Sequence, residues 1–184
     1  GAPSLEGFLF PATYRLTHST TAGDLCHLMT TEFRRQWKRL DPEHTAAVLR
    51  AVTLASLVEK ETGVAEERKI VAGVFTNRID KKMRLDCDPT TIYAALLDGR
   101  YTGVIHKSDL MSDNLYNTYR NTGLPPGPIA NPGAATLAAA LHPAATDYLF
   151  FVAKADGPGH VFSATRAAHE KAVMAYRHAR HKAG

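Results

Sequence analysis

The sequence predicts an α+β fold, with several helices packed around a small, mainly antiparallel sheet. Three observations predict it. Apolar residues recur three and four positions apart over long stretches, the spacing of one helix face. Two Asp-Pro steps, Asp41-Pro42 and Asp88-Pro89, have the form of helix starts. Near the C-terminus two short apolar runs flank a glycine-rich turn, the pattern of a hairpin. Helices flanking so few strands give the α+β class.

Taken in order, residues 1–18 read as an extended N-terminal arm, with Phe8, Phe10 and Tyr14 spaced around Pro11. Thr21 or Asp24 caps a helix running to about Leu40, with Leu25, Leu28, Met29 and Phe33 on one face. Asp41-Pro42-Glu43 is expected to open the next helix, which runs to about Thr62 and stops at Gly63. A third helix spans Ala65 to Lys82, with Ile70, Val71, Val74 and Phe75 as its apolar stripe. Asp88 is expected to cap a short helix over Thr91 to Leu97. Residues 98–133, rich in Asn, Gly and Pro, read as loop, with a short strand over Leu115 to Thr118. Asn131-Pro132 opens a helix to about Leu141. Tyr148 to Ala153 is a strand, Gly157 to Gly159 a turn, and His160 to Ser163 the returning strand. Thr165 caps the final helix.

A chain of 184 residues, 45% hydrophobic and 22% charged, has the composition of one soluble globular domain. Its net charge of +4 is concentrated near the end, at Arg177, Arg180 and Lys182, where cations suit a helix C-terminus. No basic stripe interleaved with aromatics accompanies it, so no nucleic acid partner is expected. Cys26 and Cys87 are read as buried free thiols. No run approaches the ~18 apolar residues of a membrane helix. The start at Gly1, directly before an ordered-looking motif, reads as a trimmed end of a longer chain.

The segment Val52 to Gly63 carries the chemistry. Leu54, Leu57, Val58 and Glu61 are i, i+3, i+4 and i+7, so Glu61 shares a stripe with three apolar side chains. Glu59, about 200° away on the helix, faces elsewhere and reads as a solvated or ion-paired surface acid. A carboxyl on an apolar stripe is costly when ionised, and the resulting raised pKa is what a general acid needs at neutral pH. Spacing alone favours the plainer alternative, in which Glu61 swings into water or pairs with Arg68 or Arg78. Asn77-Arg78 at a helix end suits either substrate or backbone carbonyls. The loop Gly123-Leu124-Pro125-Pro126-Gly127-Pro128-Ile129, preceded by Asn117-Thr118-Tyr119, offers amide, hydroxyl and aromatic groups suited to a sugar, or is simply a rigid loop. His160 and His169 lack metal-ligand spacing, and no HExxH, GxSxG, P-loop or dinucleotide fingerprint is present, so neither metal nor cofactor is expected.

With these residues in view, the chain resembles the YceG-like family, the endolytic murein transglycosylases of the MltG group. The resemblance rests on Ala55 to Thr62, Val74-Phe75-Thr76-Asn77-Arg78, Met83-Arg84-Leu85, Asp88-Pro89-Thr90 with Tyr93, and Tyr116-Asn117-Thr118-Tyr119. It continues through Gly123 to Ile129, Asn131-Pro132-Gly133, His142-Pro143, Tyr148 to Val152, and Gly159-His160 with Phe162. It implies one catalytic domain over residues 1–184, cleaving the β-1,4 bond between N-acetylmuramic acid and N-acetylglucosamine to leave a 1,6-anhydro end. It implies a glutamate in Glu59-Lys60-Glu61 as the catalytic group, Glu61 first and Glu59 as the lesser candidate. Substrate contacts are expected among Asn77, Arg78, Asp88, Thr90, Tyr93, Asn117, Thr118, Tyr119, Pro125, Pro126 and His160. The family also implies an upstream membrane helix and LysM-like domain, a wall-facing position on the cytoplasmic membrane, and glycan strands and cell-wall synthesis enzymes as partners.

Three rival readings follow from the same residues. Asp88 opposite Glu61 would activate water and make a peptidoglycan hydrolase. Without catalysis the chain would be a glycan-binding module. The aminodeoxychorismate lyase label attached to such proteins needs a Schiff-base lysine and a phosphate cradle, and Lys60 reads instead as a surface cation.

Overall fold

The computed structural model describes residues 4–43 and 45–183. Among these, seven α-helices accompany one two-stranded antiparallel sheet, an α+β architecture as expected. The helices are α1 (Ala22–Leu40), α2 (Val48–Glu61), α3 (Arg68–Asp80), α4 (Asp88–Leu97), α5 (Lys107–Leu110), α6 (Ala134–Leu141) and α7 (Arg166–Ala183). The strands β1 (Phe150–Ala153) and β2 (His160–Ser163) form a hairpin with Phe151 opposite Phe162. No described helix is long and apolar enough to cross a membrane.

The α2 helix is the centre of the core. Every residue from Ala51 to Val58 is buried, because α3, α4 and α6 pack against it from different sides. Burying Val52, Leu54, Leu57 and Val58 stabilises the fold by roughly 1.5–3 kcal/mol per side chain. Its first turn, Val48 to Arg50, and its last, with Glu59, Lys60 and Glu61, emerge from that core. The segment 123–132 is held against α2 by the Ile129 amide, which donates to Ser56 Oγ at 3.0 Å. Gly7 meets the same segment with φ +87°, and a Cβ there would collide with Pro128. The N-terminal arm docks by donating the Gly7 and Leu9 amides to Asn131 Oδ1.

Local signals placed several ends well. The Thr21 hydroxyl accepts from the Asp24 amide while Asp24 accepts from Thr21, a capping box that starts α1. The Thr165 hydroxyl accepts from the Ala168 amide at the start of α7. Other expectations need correction. The second helix begins at Val48, because Asp41 accepts from the Thr45 and Ala46 amides and so organises a turn. Asp88 is the first residue of α4, with Cys87 at the cap position, and its side chain turns to Tyr119. Leu115 to Thr118 form turns, with the Asn117 amide donating to Asn114 O, so no strand exists there. The expected N-terminal arm is not extended throughout: residues 4–9 form turns and bends, with the Phe8 amide donating to Leu5 O. Its first three residues lie outside the described residues.

Candidate active site

Glu61 is the last residue of α2, and the Thr62 amide closes the helix on Val58 O. Its carboxyl lies beside the Cys87 thiol, which is fully buried and donates to it. Asp88 on α4, His160 on β2 and Arg78 on α3 are the charged groups around it. Burial raises the Glu61 pKa above the usual carboxylate range; the Cys87 bond works against this, and the Asp88 charge adds to it. Burial, then the neighbouring Glu61 charge, holds the Cys87 thiol protonated, so it remains a donor. Asp88 accepts the Tyr119 hydroxyl at 2.6 Å, and burial and Asp88 push the Tyr119 phenol well up. The result is a carboxyl that holds its proton to higher pH than an exposed one, at the end of the core helix.

Glu59 has a different environment. Its carboxylate accepts the Gly133 amide at 3.2 Å and the Thr136 hydroxyl, at the N-terminus of α6. A helix N-terminus offers free amides and positive partial charge, so it stabilises an anion. Glu59 is therefore a tie between α2 and α6, not the solvated surface acid its spacing suggested.

A third acid, Glu67, is buried between α2 and the hairpin. It accepts the His160 amide at 2.8 Å and His160 Nδ1 at 2.8 Å. Burial acts to raise its pKa, but the two His160 bonds outweigh that and hold it below the usual range. The turn must approach closely here: Gly159 has φ +93°, and a Cβ at this position would run into the Glu67 carboxylate.

The YceG-like family model matches residues 2–175. The chain belongs to the YceG-like family. It is 43% identical over 176 residues to an endolytic murein transglycosylase of Bacillus subtilis, covering 94% of this chain and 48% of that protein. It is 36% identical over 157 residues to the Streptococcus pneumoniae endolytic murein transglycosylase of strain D39, covering 81% of this chain and 28% of that protein. A crystal structure of a YceG-like protein from Listeria monocytogenes superposes with a TM-score of 0.80 at 37% identity, over 91% of this chain and 55% of that one. The chain thus spans about half or less of the length of these relatives.

Within this YceG-like domain the expected contact residues divide into two groups. Asp88, Tyr119, Arg78 and His160 gather around Glu61. The others build the walls. Thr90 and Asn117 are 0% exposed and Thr118 is 1% exposed, so no substrate reaches them. Thr90 and Thr118 share a 2.8 Å hydroxyl bond, and the Cys87 amide donates to Thr118 Oγ1, which fixes the thiol beside Glu61. Asn117 Nδ2 donates to the carbonyls of Asp109, Leu110 and Ser112, locking the turn that presents Tyr119. Asn77 spends its amide donors on Thr146 O and Tyr148 O. Arg78 donates to Leu149 O at 2.6 Å and Leu85 O at 2.7 Å, and its guanidinium covers the Phe150 ring. Tyr93 packs on Tyr116 with ring centroids 4.9 Å apart. Pro125 is buried, whereas Pro126 is exposed.

A cavity of about 290 Å³ adjoins the site, lined by Arg78, Asp86, Tyr119, Phe151 and Arg166 among others. A larger groove of about 710 Å³ lies between the hairpin and α7, but it is mostly apolar and holds none of the expected site residues. Chemistry favours the smaller one. Sequence reasoning passed over Cys87 as an inert thiol and did not single out Glu67. The only local hint for Cys87 was its place before the Asp88-Pro89 helix start. Glu67 gave none, because its partner lies 93 residues away.

Proposed function

We propose that this chain is the catalytic domain of an endolytic lytic transglycosylase, with Glu61 as its single acid and base. The observation that carries the reading is the Glu61 carboxyl, enclosed at the end of α2, with its pKa raised by burial and the Cys87 thiol beside it. The names of the B. subtilis and S. pneumoniae relatives supply the substrate class, murein.

The reaction follows from that one group. Protonated Glu61 gives its proton to the glycosidic oxygen between N-acetylmuramic acid and N-acetylglucosamine, and the C1–O bond breaks. The carboxylate so formed takes the proton of the muramic acid 6-hydroxyl. The 6-oxygen closes onto C1 and leaves a 1,6-anhydro end, with Glu61 protonated again. The nucleophile belongs to the substrate, so no second carboxylate is required to activate water, unlike two-carboxylate glycosidases. Asp88 and Tyr119 flank the carboxyl, His160 lies beside it, and the Arg78 guanidinium supplies positive charge. Exposed Pro126 is read as part of the rim that meets the glycan.

A hydrolase reading draws on Asp88, a second carboxylate facing Glu61. Mass spectrometry of products from purified glycan strands separates the two: the anhydro product is one water lighter than the hydrolysed end. A reducing-end product would overturn the transglycosylase assignment. Glycan binding without any cleavage would instead make the domain a binding module.

The resemblance further supports a position on the wall-facing side of the cytoplasmic membrane, through an upstream membrane helix and LysM-like domain, close to cell-wall synthesis enzymes. Fractionation of cells carrying the tagged full-length protein tests this, and recovery in the soluble cytoplasm would refute it.

A further inference from the structure

We propose that Glu67 is a positioning residue which fixes the tautomer of His160, so that His160 Nε2 is offered to the substrate as a hydrogen-bond acceptor beside Glu61. The inference rests on the reading of Glu61 given above and extends it to an amino-sugar contact.

The geometry fixes a hydrogen on one ring nitrogen of His160. The Glu67 carboxylate is held ionised and can only accept. It lies 2.8 Å from both the backbone nitrogen and Nδ1 of His160, so Nδ1 must carry a hydrogen. In the neutral ring this leaves the lone pair on Nε2. Among the described residues no group bonds Nε2, while the ring is fixed by Phe151, at a centroid distance of 5.2 Å, and by Phe162. The same carboxylate accepts from the Thr62 hydroxyl at 3.4 Å, and Thr62 directly follows Glu61. One buried side chain therefore ties the end of the Glu61 helix to the hairpin that presents His160. The charged or ionisable groups near this pair are Lys154, beside Glu67, and Glu61, beside His160.

The ligand chemistry follows from the acceptor. N-acetyl sugars present donors in their hydroxyls and acetamide N–H, and a neutral Nε2 accepts one of them. Fixing the ring against rotation and tautomer exchange keeps that acceptor in one place when the sugar arrives.

Substituting Glu67→Gln tests this isosterically. The amide oxygen can accept from only one of the two His160 nitrogens, and its NH2 must face the other. The backbone N–H cannot change, so the ring adapts: Nδ1 becomes the acceptor and the proton moves to Nε2. Long-range 15N–1H spectra of the imidazoles, with His160 assigned by its loss in His160→Gln, read this directly. The expected wild-type signal is Nδ1–H, and the expected Glu67→Gln signal is Nε2–H. Cleavage by Glu67→Gln should fall at least about tenfold in kcat/KM, with circular dichroism unchanged. Adding chitin-type or murein oligosaccharide to Glu61→Gln should move the Nε2 resonance. An Nε2–H signal in the wild-type protein at neutral pH, whether from the other tautomer or from an imidazolium, or an Nε2 resonance indifferent to oligosaccharide, would overturn the proposal; neither measurement needs the Glu67 variant to fold. If Glu61→Gln still cleaves at the wild-type rate, the reading of Glu61 fails while the tautomer result stands on its own.

Discussion

Glu59 and Glu61 stand two residues apart on α2 and face two different regions of the molecule. On the α6 side, Glu59 meets an amide and a hydroxyl at a helix N-terminus, which tie it to α6. On the side of α4 and the hairpin, Glu61 meets one weakly donating thiol, the acid Asp88 and a buried surround that disfavours the charge. The comparison teaches that fixed donors, rather than burial alone, decide what a carboxyl does. The Glu59 side fastens the fold, and the Glu61 side raises the pKa of its carboxyl.

The largest expected effect divides the two acids by activity. Glu61→Gln should lower the rate of anhydro-product release by roughly 10²–10⁴-fold, measured by chromatography of digested strands. Glu59→Gln should leave the rate per folded molecule within a few-fold. An inactive Glu59→Gln beside an active Glu61→Gln would reverse the comparison.

Stability should divide them the other way. Removing the Glu59 charge leaves the α6 donors poorly paired, and Glu59→Ala should cost about 1–3 kcal/mol in urea unfolding. Glu61→Gln should stabilise by about 1 kcal/mol at neutral pH, as replacements at strained functional groups often do. The sign follows from the raised Glu61 pKa: ionising it costs the folded state more than the unfolded chain. That cost is absent below the unfolded pKa and grows as pH rises through the folded one. The gain in Glu61→Gln should therefore vanish in acid, and a gain independent of pH would remove this explanation.

Smaller shifts should sharpen the account of the proton. Cleavage should decline on the alkaline side as Glu61 loses its proton. Asp88→Asn removes a charge that raises the Glu61 pKa, so its alkaline limb should move to lower pH. Cys87→Ala removes a bond to the carboxylate, so its limb should move to higher pH. Limbs that stay in place in both would separate Glu61 from the observed pH dependence. The smallest effect belongs to the rim: Pro126→Ala should change stability by less than about 0.5 kcal/mol while weakening glycan binding, read as a higher KM.

Much of the fold was legible, for local reasons. The α1 start lies in four consecutive residues, Thr21 to Asp24, and the hairpin lies in adjacent runs around Gly157 to Gly159. The start of α2 was not, because Asp41 can satisfy the amides of a turn as readily as those of a helix. The turns after Leu115 were misread because Asn117 takes up three carbonyls that local patterning does not reveal. In the site, Glu61 was legible as an acid on an apolar stripe. The stripe itself was an incomplete reason, since α2 is buried on all sides from Ala51 to Val58 and spacing cannot distinguish its faces there.

The sequence by itself determined the α+β class, most helix ends, and a short segment holding the candidate acid. Those properties depend on neighbours within a few residues, through backbone periodicity, caps and turns. Only the tertiary structure decided what each acid meets, since that depends on groups far away in the chain. Gly133 lies 74 residues from Glu59, and His160 lies 93 from Glu67. A carboxyl's charge is set by burial and by the donors brought to it, and only folding assembles those.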